Sequence, residues 1–239
     1  MNTTTRAYLQ LHFAVFAFGF TAILGDLISL SALNLVWWRV LMTSISLLFF
    51  VDVRSLFQTL SPKRLLQFVG IGILIALHWV CFYGAIKLAN ASIALVCMAT
   101  ASFFAAFLEP LFTKTPIKKY QVALGLFMIP GMLLVVNGIE VGMLLGLWVG
   151  LAASLLATIF SVFNKMLIEE TDSYSMTFLE LGSAWLFLSI LLPFFLDNWQ
   201  SLQPSTSDWL YLLVLSLVCT TLAFVLSLKA LKHLSAFAS

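Results

Sequence analysis

The stretch LLQFVGIGILIALHWVCFYGAI, residues 65–86, holds 22 consecutive residues without an Asp, Glu, Lys or Arg. A helix of about 20 apolar residues crosses the roughly 30 Å hydrocarbon core of a bilayer. The helix-start signal Ser61-Pro62 precedes the stretch, and Lys87 follows it directly. The sequence therefore predicts a transmembrane helix at this position.

Apolar runs of similar length recur along the whole chain. They occupy residues 8–24, 33–51, 65–86, 91–112, 120–136, 141–163, 174–196 and 209–228. A ninth run begins at Leu234, and the sequence ends at Ser239 before that run could cross a bilayer. The runs are continuously apolar, whereas the strands of a membrane barrel alternate. The predicted fold class is an all-α polytopic transmembrane helix bundle, with eight full spans and the start of a ninth.

Composition excludes several other classes of protein. The chain is 62% hydrophobic and 9% charged, against about 25% charged residues in a typical soluble domain. Its net charge of +2 is too small and too scattered for a nucleic-acid surface. The expected partners are therefore the lipid bilayer and a small-molecule substrate, with a homodimer left open and nucleic acid excluded.

The distribution of basic residues predicts the orientation. Lys and Arg in short loops stay on the cytoplasmic side of a membrane. With the N-terminus inside, ten of the 12 Lys and Arg fall in cytoplasmic positions, Lys87 falls outside and Arg39 lies within a span. We expect a multi-pass protein of the cell (plasma or inner) membrane with a cytoplasmic N-terminus.

A weak internal repeat divides the chain in two. Residues 85–91, AIKLANA, align with residues 230–236, ALKHLSA, at a shift of 145. This shift pairs the third-to-fourth connection with the eighth-to-ninth, so the repeated unit has five helices. A unit with an odd number of spans is inverted when it repeats, and inverted repeats are typical of secondary transporters. The predicted domains are a first repeat at residues 1–138 and a second, incomplete repeat at residues 139–239.

Four ionisable side chains stand out within the predicted spans, since an ionisable group costs roughly 2.5 to 3.5 kcal/mol at the bilayer centre. Arg39 is either an anion contact in a central cavity or a side chain that reaches outward above Trp37 and Trp38. Glu180 lies about two turns inside its span and either forms a structural pair or titrates during transport. Both alternatives stay open for each residue.

The other two ionisable residues also have two interpretations. His78, with Trp79 and Tyr83, forms either the wall of a polar-aromatic pocket or a simple hydrogen bond to a neighbouring helix. Glu109 is either an interfacial residue near Lys114 or part of a cavity, because Pro110 is expected to kink its helix. Ser102 shares a helical face with Glu109 and joins the candidate substrate-binding or gating residues.

Small residues recur at every fourth position of the sixth predicted span. Such a ladder lets another helix approach closely, in a static or a moving interface. The predicted packing residues are Gly142, Gly146, Gly150, Ser154 and Thr158.

Motifs for catalysis and for ATP binding do not occur in the sequence. It has no nucleophile elbow, no P-loop and no Cys or His pair at the spacing of metal ligands. We therefore expect no enzyme activity, no cofactor and no metal.

Several short motifs resemble the EamA-type repeat of the drug/metabolite transporter superfamily. They are Arg39, the turn at residues 85–94 that leads into an Ala- and Ser-rich span, and Leu108-Glu109-Pro110. Residues 229–232, KALK, resemble the corresponding turn of a second repeat. The chain departs from the family pattern at Phe18-Gly19-Phe20, where the family often has a Trp, and it ends before a second Leu-Glu-Pro-like motif, as if truncated.

The resemblance implies two inverted five-helix repeats around a central cavity. It also implies export or exchange of amino acids and related metabolites by alternating access. In this scheme Arg39 attracts a substrate carboxylate, Trp79 and Tyr83 stack on its apolar part, and Glu109 and Glu180 pair or titrate. The alternatives are a helical scaffold or assembly subunit and a lipid-modifying membrane enzyme.

Overall fold

Twelve α-helices occur in the computed structural model, which describes residues 2–136, 140–169, 171–196 and 198–235. They are α1 (Thr3–Leu27), α2 (Ala32–Leu47), α3 (Val53–Thr59), α4 (Pro62–Leu88), α5 (Ala91–Ala99), α6 (Ala101–Thr113), α7 (Lys119–Leu126), α8 (Met128–Val136), α9 (Leu144–Leu167), α10 (Ser173–Phe195), α11 (Thr206–Ser216) and α12 (Ala223–Leu231). Two 3-10 turns, Val141–Met143 and Trp199–Leu202, precede α9 and α11, and the π-helical segment Leu217–Leu222 joins α11 to α12.

Six segments of the described chain are long and apolar enough to cross a membrane. They are Thr3–Leu27, Pro62–Leu88, Ala91–Thr113, Val141–Leu167, Ser173–Phe195 and Thr206–Leu231. Helix α2 is apolar but has only 16 residues. The fifth predicted span corresponds to α7 and α8, which are separated at Phe127. The predicted class, a polytopic all-α bundle, is confirmed.

The structure differs from the sequence-based expectation in two local features. Helix α3 was not expected; it begins because the Asp52 side chain accepts a hydrogen bond from the backbone N–H of Ser55. Pro110, at which a kink is expected, lies inside the helical segment α6, and the fourth span is divided at Thr100. The Thr100 hydroxyl donates to the carbonyl of Cys97, an alternative to regular helical bonding.

Large apolar side chains cover the outer surface of the bundle. Phe16, Leu66, Phe127 and Ile190 are all at least 66% exposed. In water such a surface would drive aggregation, whereas in a bilayer it meets acyl chains. The exposed surface therefore matches the membrane environment predicted from composition.

The first helices of the two halves run in opposite directions. The end of α1 lies beside the end of α4, where Gly25 packs against the ring of Tyr83. The start of α9 lies at the same end of α4, where Gly146 packs against Ala89. Helix α1 thus runs parallel to α4 and α9 runs antiparallel to it, as inverted repeats require.

Each half packs its first helix against the third spanning helix of the other half. Helix α1 lies along α12, with Ala7 near Ala230 and Ala14 near Ala223. Helix α9 lies along α4 in the corresponding way, and α2 packs against α10. This exchange holds the two repeats together and leaves a space between them.

Candidate functional site

A cavity of about 430 Å³ lies between the two repeats. Helices α1, α2, α4, α5, α6, α9 and α12 form its wall. The wall is mostly apolar, and its polar or amphipathic members are Thr21, Arg39, His78, Trp79, Ser102, Thr158, Ser161 and Ser227. Cavities of 300 to 1,000 Å³ with a few polar groups are typical small-molecule sites.

Arg39 is the charged member of this wall. Its side chain is 2% exposed. Its Nε donates to the Thr220 hydroxyl at 2.8 Å, and one terminal nitrogen donates to the Tyr83 hydroxyl at 2.7 Å. The guanidinium carbon lies 3.8 Å from the centre of the Trp79 ring, a cation–π contact. Neutral groups therefore hold this buried cation.

No carboxylate bonds to Arg39 within the described ranges of the chain. Buried charges in proteins are normally paired with an opposite charge or bind a ligand. The guanidinium has five N–H donors, and protein groups take up two of them. The geometry leaves donors and positive charge available to an anion in the cavity.

The π-helical segment explains how Thr220 reaches Arg39. The hydroxyls of Thr220 and Thr221 donate to the carbonyls of Leu215 and Ser216, each five residues earlier. These bonds accompany the wider turn of a π-helix, and such turns often occur at functional sites. Thr220 is not among the candidate residues predicted from the sequence; two adjacent threonines within an apolar span are its only signal there.

His78 lies on the cavity wall and also joins the two repeats. Its Nδ1 donates to the carbonyl of Ala153 in α9 at 2.8 Å, since a carbonyl can only accept. Its ring lies 5.4 Å from that of Phe160. His78 therefore combines the two positions considered above: it bonds to a neighbouring helix and it borders the cavity.

Ser102 borders the cavity, and Tyr83 lies behind its wall in contact with Arg39. Glu109 and Glu180 do not border the cavity as far as the structure describes it. Glu109 is half-buried near the end of α6. The structure thus brings together five of the seven candidate residues and places both glutamates elsewhere.

Glu180 is completely buried between α10, α9 and α4. The side-chain amide of Asn164 donates to its Oε2 at 3.4 Å. The backbone carbonyl of Glu180 lies against Gly72, where an added Cβ would clash with the carbonyl oxygen. Asn164 is not among the predicted site residues, because a single buried amide near the end of an apolar helix gives little signal in the sequence.

The small-residue ladder faces α4, α5 and α6. Gly146 lies against Ala89, and Gly150 against Cys97. The hydroxyls of Ser154 and Thr100 are hydrogen-bonded to each other, and Thr158 donates to the carbonyl of Ala101. Gly142 does not take part: it is exposed in the 3-10 turn, and a Cβ there would have no neighbour within 4 Å.

Polar contacts close the bundle beyond Tyr83, at the ends of α1 and α4. The backbone N–H and the hydroxyl of Ser29 donate to the Asp208 carboxylate at 2.9 and 2.6 Å. Lys87 donates to the carbonyl of Ile28. Hydropathy along the chain does not predict this contact, because Ser29 and Asp208 lie 179 positions apart.

Comparisons with known proteins agree with this architecture. The family model of the EamA-like transporter family matches residues 5–137 and 144–239. A solved structure described as "Crystal structure of protein" is 16% identical to this chain with a TM-score of 0.70, and the match covers 95% of this chain and 79% of that one. At this identity the likeness shows the fold alone. No curated protein matches the chain significantly. The family match covers both repeats and confirms the resemblance, so this membrane protein belongs to the EamA-like transporter family, within the drug/metabolite transporter superfamily.

Proposed function

We propose that this chain is a secondary transporter that exports or exchanges small carboxylate-bearing metabolites, amino acids among them, across the cell membrane by alternating access. The single observation that carries the substrate class is Arg39. It borders the cavity, is buried, and is held by a hydroxyl pair and an indole ring rather than by a carboxylate.

A planar guanidinium with free donors matches the geometry of a carboxylate, which it binds through two parallel hydrogen bonds. The attraction between opposite charges is also stronger in a cavity that excludes bulk water. Arg39 would therefore bind the substrate carboxylate, while Trp79 and Phe224 present apolar surface to the rest of the molecule. The mostly apolar wall supports a substrate with one charged end and an apolar body.

Alternating access is supported by the way the two repeats meet. Across the interface α1 packs on α12 and α9 packs on α4, so one relative movement of the repeats would change both ends of the cavity. The contact of Asp208 with Ser29 would close one end.

The test is transport by the full-length protein in proteoliposomes, screened with radiolabelled amino acids and related carboxylates. Arg39→Ala should lower kcat/KM by about a hundredfold, since losing a charge-assisted contact costs about 2 to 3 kcal/mol. Arg39→Lys should recover only part of this loss, because lysine lacks the bidentate fork. The matched control is Arg54→Ala, which removes an exposed arginine of α3. Unchanged transport in Arg39→Ala would contradict the proposal.

The scaffold alternative loses its main support in this arrangement. The ladder that suggested a partner is covered by α4, α5 and α6 of the same chain. A lipid-modifying enzyme would need polar side chains gathered at one membrane face, and the polar residues of the cavity instead come from helices of both repeats.

A further inference from the structure

Glu180 occupies in the second repeat the position that Arg39 occupies in the first. Arg39 is eight residues after Ser31, the N-cap of α2, and Glu180 is eight residues after Asp172, the N-cap of α10. Both side chains are buried. One repeat thus carries a cation and the other a carboxyl group at equivalent depth, and only the cation borders the cavity.

The carboxyl group of Glu180 and the amide of Asn164 leave two oxygen atoms unpaired. The Asn164 amide nitrogen donates to Glu180 Oε2 at 3.4 Å. Glu180 Oε1 and Asn164 Oδ1 are buried and have no hydrogen-bond partner in the described parts of the chain. Both orphan atoms are acceptors, so neither can satisfy the other while the carboxyl group is ionised.

A single proton would satisfy both atoms. Protonation at Oε1 turns the carboxyl group into a donor, whose O–H can bond to Asn164 Oδ1 while the Asn164 N–H bonds to Oε2. The pair then forms a ring of two hydrogen bonds, as a carboxylic acid forms with an amide. Since an unsatisfied buried acceptor costs about 1 to 3 kcal/mol, and an ionised one more, the neutral acid is the species that fits.

We propose that Glu180 and Asn164 form a proton-binding site at the interface between the repeats, and that the proton held there is exchanged during transport. The role in transport rests on the proposed function, whereas the site itself rests on the geometry of the pair.

Charged and titratable groups on the elements around Glu180 have bonding partners of their own. His78 of α4 bonds to the carbonyl of Ala153, and Arg39 of α2 bonds to Tyr83 and Thr220. Lys165 of α9 donates to the carbonyl of Leu231. Lys229 of α12 donates to the hydroxyl of Tyr174 in α10. Arg64 of α4 bonds to Gln67. None of these bonds is to the Glu180 carboxyl group, so we infer that a proton neutralises it.

A metal cation fits this site less well than a proton. Ca²⁺ takes 6 to 8 oxygen ligands and Mg²⁺ six. Glu180 and Asn164 together offer two carboxyl oxygens and one amide oxygen. Among the described residues no group of three or more His, Cys, Asp or Glu side chains could hold a metal.

Proton release follows from the position of the site. Helix α4 belongs to the first repeat, and its Gly72 lies directly against the backbone of Glu180 in the second. A movement that separates these helices admits water to the carboxyl group. The O–H bond then breaks, the electron pair stays on Oε1, and water accepts the proton. When the helices pack together again, the carboxyl group of Glu180 must first take up one proton.

The first test is infrared spectroscopy of the purified full chain in lipid nanodiscs, which needs no substrate. At neutral pH the native protein should show the C=O stretch of a protonated carboxyl group, and Glu180→Gln should remove it. Asn164→Leu should shift this band to the frequency of an acid without a hydrogen-bond partner. Glu140→Gln, at an exposed carboxylate, is the control and should change nothing. The absence of the band, or its persistence in Glu180→Gln, would overturn the site.

The second test measures coupling in proteoliposomes with a substrate found by the screen. One pH unit is tenfold in proton activity, about 1.4 kcal/mol, so exchange of one proton should change the substrate accumulation ratio about tenfold per unit. In Glu180→Gln this ratio should not respond to the gradient, and Glu140→Gln should respond like the native chain. The coupling would be overturned if the substrate accumulation ratio of the native chain did not respond to the proton gradient or followed a sodium gradient instead. It would also be overturned if the ratio in Glu180→Gln still followed pH.

The two proposals can fail separately. If no substrate moves in the screen while the infrared band disappears in Glu180→Gln, the proposed function fails and the proton site stands. If transport depends on Arg39 but not on the proton gradient, the proposed function stands and the coupling fails.

Discussion

Arg39 is oriented by residues that lie far from it in the sequence. Tyr83 comes from α4 and Thr220 from the π-helical segment, 44 and 181 positions away. Trp79 covers the flat side of the guanidinium. These three contacts hold the guanidinium of Arg39 in one orientation, and its remaining N–H donors are available to the cavity. We infer that these neighbours determine substrate affinity through Arg39 rather than by direct contact.

Replacement of Thr220 tests this inference at the level of one hydroxyl group. Thr220→Val keeps the shape but removes the acceptor of Arg39 Nε, and leaving a charged donor unsatisfied costs about 1 to 3 kcal/mol. We expect the apparent KM for the substrate to rise about tenfold. Thr221→Val is the control, because the Thr221 hydroxyl makes the equivalent backbone bond and contacts Ser46 of α2 rather than Arg39. An equal rise in both variants would show that only the π-helical turn matters.

At the scale of elements, the spanning helices are held together by small side chains and by a few polar contacts. Lipid acyl chains are as apolar as the helices themselves, so close packing supplies the attraction that the hydrophobic effect gives in water. Helix α9 approaches α4 at Gly146 and the α5 segment at Gly150. The break at Thr100 belongs to the same interface, since its hydroxyl bonds to Ser154.

Gly142 and Gly146 belong to the same small-residue ladder in the sequence, but only Gly146 packs against another helix. The two positions therefore form a matched pair of variants. In Gly146→Ala the added Cβ would lie 2.6 Å from the Cβ of Ala89 and 3.0 Å from its backbone nitrogen. Overpacking of this kind costs about 1 to 3 kcal/mol. The Tm in detergent, followed by tryptophan fluorescence, should fall in Gly146→Ala. Gly142→Ala should leave it unchanged, and equal effects would contradict the arrangement of α9 on α4.

At the scale of the molecule, the cavity is closed at one end by contacts between the repeats. Asp208, at the start of α11, holds Ser29 in the connection between α1 and α2. This carboxylate also accepts a bond from the backbone N–H of Ser205 within a capping box. The link therefore ties the second repeat to the first at the point where the chain leaves α1.

Removal of this link should shift the protein towards a form open at that end. Ser29→Ala removes the hydroxyl that bonds to Asp208 and keeps the capping box of α11 intact. A charge-assisted bond is worth about 1.5 to 3 kcal/mol, so the open population should rise about tenfold or more. The measurement is the rate at which a thiol reagent modifies Ser227→Cys in the cavity, in a chain without native cysteines. Ser207→Ala, at an exposed hydroxyl of the same turn, is the control.

The apolar runs alone predicted the six segments that are long enough to span a membrane, but not every interruption along the chain. Bilayer thickness sets the length of a span, and composition shows where such a length occurs. The breaks at Thr100 and Phe127 and the π-helical turn depend on local hydrogen bonds and on contacts with other helices. These left only single polar residues as signals in the sequence, and Pro110, which gave the clearest signal, lies within a continuous helix.

The sequence by itself determined that this protein is a membrane bundle of two related halves and which of its side chains are unusual in a bilayer, because hydropathy and repetition are local properties of a chain. Only the tertiary structure decided that Arg39, His78, Trp79 and Ser102 share one cavity while Glu180 pairs with Asn164. Their grouping depends on how α4 packs against α9 and α10. Contacts between distant helices are set by side-chain shape, which periodicity along one helix does not encode.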